Sequence, residues 1–215
     1  MISPEQKICL IILSYLIGSI STSTIICRFK KIDIKTIGSG NAGATNTVRA
    51  LGKKYGALVL LLDILKGVLP TMIAKYLSPE NLILQICCAF AVVAGHIFPI
   101  YFSFKGGKGA ATIIGTITII YPLGALICLI TWLTILILSG YVGLATITAA
   151  IIFPISILIL ASSDLIFFGI SAMLLILIAH YDNITRLFKG KENRFEKIHI
   201  FSPNSIFRKK VSYKE

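Results

Sequence analysis

The sequence predicts an all-α, polytopic integral membrane protein of about seven transmembrane helices, with its N-terminus outside and its C-terminus cytoplasmic. Three observations lead there. Of 215 residues, 56% are apolar and 14% charged, and the mean hydropathy is +0.88, too apolar for a soluble α/β domain. Long apolar segments recur from one end of the chain to the other. The basic residues are bunched, with 18 of the 21 Lys and Arg in three places.

The first segment, Ile8 to Cys27, follows MISPEQK without an A-x-A cleavage pattern, so a retained helix is expected rather than a signal peptide. Tyr55 to Leu77 and Leu82 to Phe102 each reach the roughly 20 residues that a spanning helix requires. The next run, Ala110 to Leu138, has 29 residues. As one helix it would be about 43 Å long, against a hydrocarbon core of about 30 Å. Tyr121-Pro122 lies inside it, and a residue before proline is pushed out of the α region, so a break is expected there. Val142 to Leu160 and Leu165 to Ala179 complete the set.

Seven Lys and Arg lie between Arg28 and Lys54, two at Lys105 and Lys108, and nine from Arg186 onward. The breaks at Ser78 to Asn81, Ser139 to Tyr141 and Ala161 to Asp164 carry none. With all three basic regions cytoplasmic, two helices separate the first pair and four the second, which gives seven. Ala110 to Tyr121 is short for a full span, so a kinked long helix with six crossings, or a re-entrant piece, is the alternative. Residues 1–215 form one membrane-embedded domain, with cytoplasmic regions 28–54, 103–109 and 180–215. The net charge of +12 reads as an orientation signal, not a nucleic-acid footprint. The polar, basic tail after Arg194, with Phe201 and Phe207 interleaved, is expected on the anionic inner leaflet. Cys9, Cys27, Cys87, Cys88 and Cys128 lie in or beside apolar runs without C-x-x-C spacing and read as small buried hydrophobes.

Gly38, Gly40 and Gly43 spell G-x-G-x-x-G, and Asp63 stands where a dinucleotide-binding unit places its ribose-binding acid. That unit needs a soluble βαβ segment, whereas a membrane span follows these glycines. Another use of glycines beside a phosphate is needed. Ser39, Asn41, Thr45 and Asn46 bring hydroxyl and amide donors, and Arg49 adds a planar charged fork. Lys105, Gly106, Gly107, Lys108 and Gly109 offer two ammonium groups and open a helix at Ala110, a natural phosphate site. With Phe at position 102 in place of the first glycine, this is not a Walker A loop. In HYDNITRLFKGKEN, His180, Asn183 and Arg186 share one helical face, and Glu192 follows Gly190.

Ionisable groups inside membrane segments are functional candidates by default. Asp63 and Lys66 lie three apart and are expected to pair, and His96 precedes the second glycine loop. No H-E-x-x-H or Asp-rich diphosphate motif is present, so no metal or cofactor is expected.

These runs resemble the acyl-phosphate-dependent glycerol-3-phosphate acyltransferases of bacteria, the PlsY family. The resemblance covers Gly18-Ser19, GSGNAGATNTVRALGKKYG, DILKG, GHIFPIYFSFKGGKGAAT and HYDNITRLFKGKEN, nearly the whole chain. Ile20 and Ser21 stand where the family often carries proline. The resemblance implies a seven-helix enzyme of the cytoplasmic (inner) membrane with its site on the cytoplasmic face. It would move a fatty acyl group from acyl phosphate to the sn-1 hydroxyl of glycerol 3-phosphate, yielding lysophosphatidic acid and phosphate. Its partners would be those two substrates, membrane lipids and the enzyme that supplies acyl phosphate. It also implies phosphate binding by Ser39 and Arg49, glycerol 3-phosphate binding by the Lys105 to Gly109 loop, His180 and Asn183 in the active site, and Glu192 as support. Asp63, Lys66, His96, Thr112 and Arg186 are grouped with the supporting residues.

The base is either His180 or a phosphate oxygen of the acyl donor, and the second is preferred because the leaving phosphate is adjacent. A phosphate-ester transporter is the rival, but paired half-sequences are missing. A CoA-dependent acyltransferase would carry H-x-x-x-x-D, and the residues five on from His96, His180 and His199 are Tyr101, Thr185 and Asn204.

Overall fold

The computed structural model describes residues 2–194, and these contain ten α-helices and no strand. The expected seat of the basic tail on the membrane surface lies outside the described residues. The helices are α1 (Pro4–Gly18), α2 (Thr22–Phe29), α3 (Ala44–Leu51), α4 (Lys53–Leu77), α5 (Leu82–Ile97), α6 (Ala110–Ile120), α7 (Pro122–Ser139), α8 (Val142–Leu160), α9 (Ile166–Ala179) and α10 (Tyr181–Phe188).

Local chemistry accounts for their ends. Ser3 and Gln6 form a capping box at the start of α1, with Pro4 in the first turn. Asn81 caps α5 by accepting from the Leu84 amide at 3.0 Å. The run from Ala110 breaks where the proline predicts, α6 ending at Ile120 and α7 beginning on Pro122. The first apolar segment is not one straight helix, contrary to expectation. It opens between Gly18 and Thr22 because α4 holds the gap: Lys66 Nζ donates to the Ile20 carbonyl at 3.0 Å, and the Thr22 hydroxyl donates to Asp63 at 2.7 Å.

By length and apolar composition, five helical stretches suffice to cross a membrane: Pro4–Phe29, Lys53–Leu77, Leu82–Phe102, Pro122–Ser139 and Val142–Leu160. A sixth is reached if α9 and α10, bent by 62° at His180, count as one. The shorter α6 has 11 residues, about 16 Å of helix. Leu61, Leu69, Leu126, Ile130, Leu158, Phe167 and Ile178 are exposed on the outside of the bundle. That surface suits hydrocarbon rather than water.

The main core joins α5 to α9 through Val92, Val93, Ile113, Ile117, Phe153, Phe168 and Ile176. Helix α4 crosses α6 closely, so that a Cβ on Gly67 would lie 2.1 Å from the Thr112 carbonyl oxygen and one on Gly115 would lie 2.3 Å from that of Ile64. Only glycine lets the backbones approach this way, as is common where membrane helices pack. Thr112 is fully buried in this crossing.

Candidate active site

The first motif folds as a short loop into α3. Asn46 is its staple. Its amide donates to the carbonyls of Ile34 at 3.1 Å and Ile37 at 2.8 Å, while its Oδ1 accepts from the Ser39 amide at 3.2 Å. Both of its donor protons are engaged inside the loop, so Asn46 shapes the site rather than offering donors to it. The side chains of Ser39, Asn41, Thr45 and Arg49 have no hydrogen-bond partner among the described residues, and all four line one cavity.

The second motif divides its work. The Gly106 and Gly107 amides each donate at 3.1 Å to the carbonyls of Ile97 and His96, pinning the loop to the end of α5. A Cβ on Gly107 would lie 2.2 Å from His96 Nε2 and 2.7 Å from the Ala42 carbonyl oxygen. These glycines permit close approach, and their amide protons are not free for an anion. Lys105 is exposed and lies outside the cavity wall, whereas Lys108 and Gly109 are part of it.

The third motif supplies a connected polar chain. Lys108 Nζ donates to Asn183 Oδ1, the Asn183 amide donates to Glu192 Oε1 at 2.7 Å, and Arg186 Nε donates to Glu192 Oε2 at 2.8 Å. Burial, and then the neighbouring Arg186 charge, push the Lys108 ammonium below the ordinary lysine range. His180 is 4% exposed at the bend between α9 and α10. Its Nδ1 lies 2.9 Å from the Ile176 carbonyl oxygen, which can only accept, so Nδ1 carries a proton. In the neutral ring Nε2 is then the acceptor.

Beneath this layer, Lys66 Nζ lies 2.9 Å from Asp63 Oδ1, the pair expected from their spacing. Through Thr22 and Ile20 it ties α4 to the gap between α1 and α2. His96 Nδ1 is buried 3.7 Å from Asp63 without a hydrogen bond among the described residues. Asp63 and His96 reach the cavity; Lys66 and Thr112 do not.

The cavity has a volume of about 310 Å³ and two contrasting parts. At one end stand the donors of all three motifs. The other end, between α6, α7, α8 and α9, is walled by Ile113, Ile117, Leu129, Phe153 and Met173. Gly43 and Gly109 precede α3 and α6 without a side-chain cap, so the first amides of both helices are left without acceptors among the described residues. Both helix starts line the cavity, which therefore faces two sets of free amides and two positive dipole ends. The arrangement suits two anionic groups side by side, with an apolar chain attached to one of them.

Sequence reasoning does not anticipate Trp132 and Thr146 in the wall. Trp132 Nε1 donates to Thr146 Oγ1 at 3.1 Å, bridging α7 and α8 below the polar end. The signal was the single Trp of the chain, inside an apolar span where its N–H must find an acceptor.

Fold and surface define a multi-pass membrane protein whose cavity joins a donor-rich end to an apolar one. A family model described as glycerol-3-phosphate acyltransferase matches residues 8–190. The chain is 43% identical to the glycerol-3-phosphate acyltransferase of Aquifex aeolicus (strain VF5) over 188 residues, 86% of this chain and 97% of the relative. It is 44% identical to that of Shewanella sediminis (strain HAW-EB3) over 191 residues, 86% of this chain and 92% of the relative. Two crystal structures of PlsY (YgiH), an integral membrane glycerol 3-phosphate acyltransferase, share the fold. The glycerol 3-phosphate form aligns with a TM-score of 0.85 at 41% identity, covering 88% of this chain and 96% of that one. The lysophosphatidic acid form gives 0.83 at 40% identity, with 89% and 96% covered. This chain belongs to the glycerol-3-phosphate acyltransferase family.

Proposed function

We propose that this protein transfers a fatty acyl group from acyl phosphate to the sn-1 hydroxyl of glycerol 3-phosphate, releasing lysophosphatidic acid and inorganic phosphate for phospholipid synthesis. One observation carries the reading: hydroxyl, amide and guanidinium donors without partners among the described residues, and two helix starts without a side-chain cap there, open on the same cavity, whose other end is apolar. An acyl phosphate is an activated mixed anhydride, so a covalent enzyme intermediate is unnecessary. The enzyme must hold two mutually repelling phosphates while the hydroxyl reaches the acyl carbon, a task of proximity and charge stabilisation.

Ser39, Asn41, Thr45 and Arg49, with the start of α3, hold one phosphate. Lys108 and the start of α6 hold the other, and Asn183, Arg186 and Glu192 fix the Lys108 ammonium in place. The sn-1 oxygen bonds to the acyl carbon, the bond from that carbon to the bridging phosphate oxygen breaks, and the hydroxyl proton ends on the departing phosphate. His180 stands beside the hydroxyl and positions it, while the phosphate oxygen accepts its single proton and takes it. His180→Ala then costs less than the roughly 10²-fold or more expected of an essential general base.

The protein crosses the cytoplasmic (inner) membrane seven times, with α6 as the short seventh crossing, its N-terminus outside and its site facing the cytoplasm. The basic regions flanking the three motifs support this orientation. A separate enzyme supplies the acyl phosphate, and the chain of the donor enters from surrounding lipid.

The test is product formation by the purified protein with glycerol 3-phosphate and either palmitoyl phosphate or palmitoyl-CoA. Lysophosphatidic acid is expected from palmitoyl phosphate alone, and is lost in Ser39→Ala and Arg49→Ala. Product only from palmitoyl-CoA overturns the choice of donor, and folded protein active with neither points to transport of a phosphate ester.

A further inference from the structure

Helix geometry gives the apolar part of the cavity a definite depth. On α8 its wall runs from Gly143, where an added Cβ would meet the Asn183 amide at 2.7 Å, to Phe153. That is ten residues, or about 15 Å of helix. On α9 the wall runs from His180 to Ala172, and on α6 from Gly109 to Ile117, about 12 Å in each case. The three helices thus place the floor about 12–15 Å below the polar end, formed by Ile117, Cys128, Phe153 and Ala172.

Phe153 is the one aromatic residue of that floor, and it is braced from behind. It is 2% exposed, stands edge-on to Phe168 with ring centroids 5.7 Å apart, and has the Tyr121 ring 6.5 Å away. A Cβ on Gly124 would come within 2.9 Å of its ring. Neither Phe168 nor Tyr121 belongs to the cavity wall. In a core packed to crystal-like density, a ring held on two sides by other rings cannot swing aside without moving them. The lipid side is less closed, because Leu60 and Leu129 line the cavity and are also exposed on the outside of the bundle.

We infer that Phe153 is the length stop for the acyl chain of the donor. This rests on the acyltransferase reading above, which puts the reacting carbonyl among the polar groups near Asn183. A fully extended chain advances about 1.25 Å per carbon, from a 1.52 Å bond at about 111°, so about twelve carbons fit between that carbonyl and the ring. A longer chain has to bend toward Leu60 and Leu129, and the enzyme discriminates against it to that extent.

The experiment compares kcat/KM for dodecanoyl and octadecanoyl phosphate in the full-length protein, Phe153→Ala and Phe153→Trp. Alanine opens the floor toward Phe168, and the octadecanoyl-to-dodecanoyl ratio is expected to rise about tenfold, the effect of about one methylene-sized contact. Tryptophan raises the floor and moves the ratio the other way. Opposite shifts in the two variants separate a stop from simple loss of packing, which lowers both substrates together. An unchanged ratio in both variants, with the unsubstituted protein active, overturns the stop and leaves the acyltransferase reading standing. Failure of the unsubstituted protein to turn over either acyl phosphate overturns that reading and the stop with it.

Discussion

Replacing Glu192 by Gln tests whether the polar chain at the cavity holds Lys108 in position. Each carboxylate oxygen has its own donor, Asn183 Nδ2 at 2.7 Å and Arg186 Nε at 2.8 Å, and the Glu192 side chain is only 6% exposed. A glutamine amide presents one acceptor and one donor, so in either orientation it turns an N–H toward another N–H. One charge-assisted hydrogen bond is lost, worth about 1.5–3 kcal/mol, and the 28% exposure of Arg186 puts the cost near about 2 kcal/mol. For a chain of this size that is a fall in Tm of roughly 4–8 °C. A thiol-reactive dye can read unfolding in detergent, because Cys27, Cys88 and Cys128 are buried in the fold and become available when it opens. The KM for glycerol 3-phosphate rises as well, since Asn183 is then free to turn away from Lys108. In a double-mutant cycle with Arg186→Ala, a coupling of about 1–2 kcal/mol is expected. Additivity within about 0.3 kcal/mol would refute the reasoning.

Three further outcomes are expected. Arg49→Lys keeps the charge but loses the planar fork, so kcat/KM in the acyltransferase assay falls about tenfold or more. Only the protonated Lys108 attracts a phosphate, and its pKa is lowered, so the KM for glycerol 3-phosphate rises as pH climbs through that lowered value. Lys108→Arg removes this dependence, and a KM profile that is the same in both proteins counts against the assignment. Asp63→Asn leaves the buried Lys66 ammonium without its counter-charge and costs about 3–5 kcal/mol in thermal unfolding. Adding Lys66→Met restores much of that loss, and no recovery would show that the pair is not what stabilises α4 here.

How legible the structure was in the sequence depends on the range of each interaction. The break at Tyr121-Pro122 was readable because a proline acts on its own neighbour. The Asp63 and Lys66 pair was readable because three-residue spacing on a helix brings the two together. The break at Ser19 to Ser21 was not readable, since no proline marks it and the ammonium that stabilises it comes from 46 residues away. Donor chemistry in the motifs was visible, but not its engagement. Asn46 and Ser39 look equally available on paper, yet the Asn46 amide is bound to the Ile34 and Ile37 carbonyls and the Ser39 hydroxyl is not so occupied. Gly106 and Gly107 likewise read as free amides until the end of α5 is brought against them. Lys105 and Lys108 are three residues apart in one loop, and only the fold decides that Lys108 alone faces the cavity.

The two uncapped helix starts also bear on the kinetic order of the reaction. On the proposed reading, with α3 and α6 opening on one shared space, acceptor and donor bind there together and both are present before either product leaves. Initial-rate plots should therefore intersect rather than run parallel. Inorganic phosphate, small enough to sit at either helix start, becomes a product inhibitor whose pattern against each substrate reports which start it occupies.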